Sequence, residues 1–136
     1  MVGAVQSAGL EMPVCEVLLV DDDAAQREMY RRRIERAGFR VRLADSADAA
    51  VEQVRTACPG AVVLDIAMPG RDGLSALQEL VAIEPTLPVI INTAYGDYAE
   101  NFLAWAADAF VRKSAEIAPL INAISRAVGP QKPTGG

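Results

Sequence analysis

Residues 17–23 read Val-Leu-Leu-Val-Asp-Asp-Asp, an aliphatic run that stops on three acids. Residues 61–65 read Ala-Val-Val-Leu-Asp and repeat this pattern with one acid at the end. Short aliphatic runs that are each followed by an amphipathic segment are typical of buried parallel strands. Ligands of an open parallel sheet bind beyond the carboxyl ends of its strands. We therefore expect Asp21, Asp22 and Asp65 to lie close together at one edge of a sheet.

Such a cluster of carboxylates needs a positive charge among its members. Like charges held close together repel and raise one another's pKa. A hard divalent cation with oxygen ligands relieves this repulsion, and Mg²⁺ is the cation that we expect. The acidic cluster is the predicted functional centre of the protein.

The remainder of the chain alternates between strand and helix patterns. Five strands are predicted, over residues 14–20, 39–43, 61–64, 88–92 and 109–111. Five helices are predicted, over about residues 23–37, 46–57, 74–84, 97–106 and 117–128. This alternation indicates an α/β protein, a three-layer α/β/α sandwich of the flavodoxin-like type with one five-stranded parallel sheet. We predict strand order 2-1-3-4-5, because it places the first and third strands side by side.

Composition limits the classes of function. The chain has 136 residues, 51% of them hydrophobic, which fits one domain, predicted over 14–128 between a flexible lead-in (1–13) and a short mobile tail (129–136). A net charge of −5 argues against direct binding to nucleic acid or to an anionic membrane. Neither a signal peptide nor a stretch of membrane-spanning length is recognisable, so we expect a cytoplasmic protein.

Cysteine and histidine usage excludes several kinds of site. Cys15 and Cys58 have no metal-ligand spacing, and the chain contains no histidine. A zinc site, a Ser-His-Asp triad and acid–base catalysis by imidazole are therefore not expected. The two thiols are expected to be reduced and to lie near the amino-terminal edge of the sheet, away from the acids.

Reactive residues follow four of the five predicted strands. They are Asp21 and Asp22 after the first strand, Asp65 after the third, Thr93 after the fourth and Lys113 after the fifth. Taken singly, each has a structural explanation, such as a helix cap, a strand end or a surface lysine. Taken together, residues 19–23, residues 64–73 (Leu-Asp-Ile-Ala-Met-Pro-Gly-Arg-Asp-Gly), the Thr93-Ala94 pair and the Lys113 region resemble bacterial response regulator receiver domains. The resemblance covers about residues 14–128 and is to the single-domain, chemotaxis-regulator-like type.

The resemblance implies a set of site residues. Asp65 would be the phosphoryl acceptor and a Mg²⁺ ligand. Asp22 would bind Mg²⁺ directly, Asp21 would act largely through water, and the backbone carbonyl of Ala67 would be a further ligand. Lys113 would pair with a phosphoryl oxygen.

The resemblance also implies a switch. The Thr93 hydroxyl would donate to another phosphoryl oxygen and move inward on phosphorylation. Phe110, three residues before Lys113, would fill the space behind it, although it is equally explained as an ordinary core residue. The surface that changes would comprise the predicted fourth helix, the fifth strand and the last helix, about residues 98–128.

The function implied is a phosphorylation-controlled switch of a two-component system, not an enzyme beyond its own phosphorylation and dephosphorylation. The implied partners are a sensor histidine kinase or phosphotransfer protein, because this chain has no histidine, and a downstream protein target. A homodimer through the same switch surface is one assembly that the resemblance allows.

Two other functions remain open, and the chain differs from the usual family sequence at two places. The spacing of Asp21 and Asp23 also matches the first motif of haloacid-dehalogenase-like phosphatases, and a degenerate receiver could act only as a binding module. The family usually has proline after the lysine, often with a cis bond, whereas this chain has Ser114, so the geometry of that bond is open. Ala67 cannot orient an attacking water and Tyr95 could shield the site, so we expect a fairly stable phosphoaspartate.

Overall fold

The computed structural model describes residues 15–67, 73–94 and 107–129, with the backbone alone for Gly73 and Leu74. The strands in these ranges are β1 (Glu16–Val20), β2 (Arg40–Ala44), β3 (Ala61–Leu64), β4 (Val89–Thr93) and β5 (Ala109–Arg112). The helices are α1 (Ala24–Arg36), α2 (Ala47–Thr56), α3 (Gly73–Ile83) and α4 (Ala118–Val128). All strand pairs are parallel, in the order β2-β1-β3-β4-β5. The predicted class and strand order are confirmed.

Two apolar clusters, one on each face of the sheet, make the three layers. Successive side chains of a strand point to opposite faces, so Val17 and Leu19 lie in one cluster and Leu18 and Val20 in the other. Helices α1 and α4 cover the first face, through residues such as Ile34. Helices α2 and α3 cover the second face. Because both faces are buried, β1, β3 and β4 are apolar along nearly their whole length.

Local signals in the sequence set the ends of two helices. Asp23 caps α1, and its side chain accepts a hydrogen bond from Gln26 N at 3.0 Å. Gly38 ends the same helix with a φ of 106°, a conformation that glycine adopts without strain. Ser46 caps α2 by accepting from Ala49 N at 3.1 Å. The cap of α1 matters most, since it fixes the helix directly beside the first acids.

The second strand differs from its prediction. It begins at Arg40 instead of residue 39, and Leu43 is 37% exposed. The reason is that β2 is an edge strand, which is covered less completely than the strands inside the sheet. Cys15 and Cys58 form no disulfide with each other and precede β1 and β3, at the amino-terminal edge as expected.

Several predictions fall on residues outside the described ranges. These are the lead-in, the loop residues 68–72, Tyr95, the helix over 97–106 and the tail from residue 130. Among the helices that are described, none is long and apolar enough to cross a lipid bilayer.

Candidate functional site

The carboxyl ends of β1 and β3 bring two acids together. The strands are neighbours, with Val20 opposite Leu64, and the ladder continues past their ends because Asp65 N donates to Val20 O at 3.0 Å. Asp21 and Asp65 therefore follow their strands side by side. Both are buried, at 2% and 5% exposure. Burial of two carboxylates is unfavourable unless a cation or hydrogen-bond donors compensate for the lost water.

Lys113 supplies that compensation. It follows β5, and its Nζ lies 2.9 Å from Asp21 Oδ2 and 2.8 Å from Asp65 Oδ2. Its backbone N donates to Thr93 O at 2.9 Å, which fixes the start of the loop. Burial by itself lowers the pKa of Lys113, but the hydrogen bonds to the two carboxylates outweigh burial and hold this pKa above its ordinary value. The lysine is therefore charged at neutral pH and binds both acids at once.

Backbone amides orient the remaining carboxylate oxygens. Asp23 N donates to Asp21 Oδ1 at 2.9 Å, and Ala67 N donates to Asp65 Oδ1 at 2.9 Å. Each buried carboxylate thus accepts one backbone N–H and one N–H of Lys113. Their orientations are fixed before any ligand arrives.

Asp22 completes an acidic cluster that suits a small divalent cation. One carboxylate oxygen from each of Asp21, Asp22 and Asp65 lies within 4.8 Å of the others. Oxygens on opposite sides of one Mg²⁺ are about 4 Å apart, so the spacing of this set is close to that of the ligands of one ion. Three carboxylates and the Lys113 ammonium leave two negative charges, which one Mg²⁺ balances. The donor set therefore fits the predicted metal.

The other predicted residues lie near the same edge. Thr93 is the last residue of β4 and is fully buried. Phe110 is opposite Ile91 and packs, partly buried, against the same apolar cluster as Ile91. Residues two apart on a strand point to the same face of the sheet. The side chains of Thr93, Ile91 and Phe110 therefore lie on one face. Ala67 is exposed. The structure therefore places Asp21, Asp22, Asp65, Thr93 and Lys113 at this edge of the sheet, whereas Phe110 lies two residue pairs further into the sheet than Thr93.

The loop after Lys113 begins with the Lys113–Ser114 peptide bond, whose cis or trans geometry the sequence leaves open. The Lys113–Ser114 peptide bond is trans. Ser114 Oγ accepts a hydrogen bond from Glu116 N at 2.9 Å, a local turn that serine forms readily. Arg33 Nη1 of α1 donates to Ala115 O at 2.9 Å and ties this loop to the first helix.

Two residues of α1 contact the site without having been predicted. Gln26 Oε1 accepts a hydrogen bond from Lys113 Nζ at 2.6 Å. Arg27 Nη1 donates to Asp21 O at 2.7 Å. The signal available in the sequence is their position in the first turn after Asp23, which the fold places at the edge where the acids lie. Their side-chain partners depend on rotamers that spacing alone does not determine.

The family model of the response regulator receiver domain matches residues 17–125. The response regulator TrrA from Thermotoga maritima, solved in complex with Mg²⁺-BeF, has a TM-score of 0.80 to this chain at 28% sequence identity, covering 84% of this chain and 99% of TrrA.

Curated relatives are transcriptional and other response regulators. The C4-dicarboxylate transport transcriptional regulatory protein DctD of Rhizobium meliloti is 40% identical over 81 residues, which are 60% of this chain and 18% of DctD. Response regulator MprA of Mycobacterium leprae is 34% identical over 119 residues, 86% of this chain and 52% of MprA. The chain thus spans a fifth to about half of these relatives. It belongs to the family of response regulator receiver domains, the phosphorylation-controlled switches of two-component systems.

Proposed function

We propose that Asp65 is the phosphoryl acceptor of this receiver domain and that Asp22, Asp65 and the Ala67 carbonyl hold Mg²⁺, with Asp21 acting through water. The observation that carries the proposal is the shared ammonium group, since Lys113 Nζ is 2.8 Å from Asp65 and 2.9 Å from Asp21. The Mg²⁺-BeF complex of TrrA supports Mg²⁺ as the metal.

Each residue of the site has a separate role in phosphoryl transfer. An Asp65 carboxylate oxygen attacks phosphorus and forms an acyl phosphate, while the leaving group of the donor departs with the bonding electron pair. Ala67 N holds one Asp65 oxygen in position and Lys113 holds the other. Bound Mg²⁺ supplies positive charge that offsets the charge of the transferring group. Lys113 then donates to a phosphoryl oxygen, which a compact charge on a long stem can reach.

Phosphorylation would change the structure through Thr93 and Phe110. The new phosphoryl group places negative charge and further acceptor oxygens at the edge of the sheet. The Thr93 hydroxyl would turn toward it, and Phe110, on the same face, would move into the space behind. The change would reach β5 and α4, within the predicted switch surface of residues 98–128.

The partners follow from the chemistry of the acceptor. The phosphoryl donor is a phosphohistidine on a sensor kinase or a phosphotransfer protein, because this chain has no histidine. A downstream protein, or a second copy of this chain, would bind the switch surface after phosphorylation. Such a relay takes place in the cytoplasm, where the kinase domain and its phosphodonor ATP lie.

Labelling with a small phosphodonor tests the proposal against its alternatives. Acetyl phosphate labelled at phosphorus, with Mg²⁺, should label the wild type and Asp21→Ala but not Asp65→Ala. A haloacid-dehalogenase-like phosphatase would instead lose the label with Asp21→Ala. A degenerate receiver would show no label in any variant. Loss of labelling after chelation of Mg²⁺ completes the test.

A further inference from the structure

The ammonium group of Lys113 has no N–H left for a phosphoryl oxygen. An ammonium has three donors and no acceptor. Two donate to Asp21 and Asp65, and the third donates to Gln26 Oε1 at 2.6 Å. If Asp65 is phosphorylated as proposed above, an incoming phosphoryl oxygen must displace one of these three acceptors.

The contact with Gln26 is not a by-product of helix capping. Asp23 and Gln26 have the spacing of a capping box, in which the Gln26 side chain would reach back to Asp23 N. Here Asp23 N donates to Asp21 Oδ1 at 2.9 Å instead. The Gln26 side chain is thereby released from that role, and its oxygen faces Lys113.

The same contacts fix Gln26 in place. Its backbone N donates to Asp23 Oδ1 at 3.0 Å, and Asp23 N donates to Asp21. Lys113 Nζ donates to both Asp21 and Gln26. The four residues therefore form a closed ring of hydrogen bonds, so Gln26 presents its oxygen to Lys113 from a fixed backbone position.

We propose that Gln26 is a positioning residue for Lys113, whose third N–H it accepts before phosphorylation and releases to a phosphoryl oxygen during transfer. Among the three acceptors Gln26 is the neutral one, and hydrogen bonds to carboxylates are stronger than those to amides. It is also exposed, whereas Asp21 and Asp65 are buried, so water can hydrate the Gln26 amide once it is released. This inference rests on the proposed role of Asp65.

Gln26 takes no part in the making or breaking of bonds during the transfer. With acetyl phosphate, a bond forms between phosphorus and an Asp65 oxygen, and the bond between phosphorus and the acetate oxygen breaks. Acetate leaves with the electron pair. Lys113 only exchanges the Gln26 oxygen for a phosphoryl oxygen, so the strength of the Gln26 contact should set part of the barrier.

Two substitutions of Gln26 should change the transfer rate in opposite directions. Gln26→Glu offers a charged acceptor of equal reach that Lys113 gives up less readily, so transfer should slow about tenfold. Gln26→Met keeps the size but offers no amide acceptor, so transfer should become about threefold faster. Ala25→Glu is the matched control, because Ala25 is exposed and the substitution adds the same charge one residue earlier in α1.

The rate of phosphorylation of the wild type and of each variant of the 136-residue chain is measured with saturating acetyl phosphate and saturating Mg²⁺, so that differences in binding of donor or metal do not affect the comparison. Thermal unfolding of each variant is measured alongside, because a merely structural role would change stability but not produce this order of rates. The inference holds if Gln26→Glu is slower than Ala25→Glu while Gln26→Met is faster than the wild type. Equal rates for all four proteins, or a slower Gln26→Met, would overturn it and leave the role of Asp65 intact. Absence of labelling in the wild type would overturn both the role of Gln26 and the proposed role of Asp65.

Discussion

Lys113 Nζ lies 2.8 Å from Asp65 Oδ2, although the two residues are 48 positions apart in the sequence. The contact exists because β5 and β3 end at the same edge of the sheet, where Lys113 also reaches Asp21. One ammonium group thus compensates two buried carboxylates.

Removing the ammonium should destabilise the metal-free protein. Lys113→Met leaves Asp21 and Asp65 buried without their cation, and breaking a buried ion pair from one side costs about 3 kcal/mol or more. Urea unfolding in the presence of a chelator measures this loss. Mg²⁺ should restore part of the stability, because it supplies positive charge to the same carboxylates. Equal stability of the variant and the wild type in the chelator would contradict the arrangement.

The same ion pairs should make stability fall at alkaline pH. The folded protein holds the Lys113 proton more tightly than the unfolded chain, because its pKa is raised. This contribution is complete below the unfolded pKa of about 10.4 and is lost as the pH rises through the higher folded value. As the pH rises above about 10, the wild type should therefore lose more stability than Lys113→Met. Parallel losses in the two proteins would show that Lys113 is not the group responsible.

Mg²⁺ affinity should depend on Asp65 but not on acids elsewhere at the same edge. Asp65→Asn removes one charge from the acidic cluster, so affinity should fall by about tenfold or more. Asp45→Asn is the matched control, since Asp45 is exposed and directly follows β2 at the carboxyl edge but is not in the cluster. Calorimetric titration with Mg²⁺ measures the affinity of the wild type and of each variant. An equal loss of affinity in the two variants would place the metal elsewhere.

The lifetime of the phosphorylated state should depend on residue 67. Ala67 is exposed beside Asp65 and has no group that can orient an attacking water. Ala67→Asn supplies such a group, so hydrolysis should become severalfold faster, as expected for a positioned polar group. The decay of labelled protein in Mg²⁺ after removal of the donor gives both rates. A wild-type half-life of seconds, or an unchanged rate in the variant, would count against this explanation.

Much of this fold is predictable from the sequence because the strongest local signals agree with one another. The aliphatic runs that become β1 and β3 are buried on both faces, and Asp23 and Ser46 cap the helices that follow β1 and β2. Edge strand β2 is the weaker case. Its alternating pattern does not reveal that Leu43 is 37% exposed.

The acidic cluster is predictable for a topological reason, whereas its hydrogen bonds are not. Parallel strands point their carboxyl ends to one edge, so Asp21, Asp65 and Lys113 must meet there. The third contact of Lys113, with Gln26, depends on which acceptor takes the backbone N–H of Asp23. Spacing alone favours a capping box, and only the three-dimensional competition with Asp21 decides otherwise.

Locating the acyl phosphate tests the central claim most directly. Borohydride reduces an aspartyl phosphate to homoserine, and cleavage after Arg55 and Arg71 releases residues 56–71, in which Asp65 is the only acid. After treatment with acetyl phosphate and Mg²⁺, mass spectrometry should find homoserine at position 65 and nowhere else. Homoserine at position 21 or 22, or an unmodified residue 65, would contradict the account.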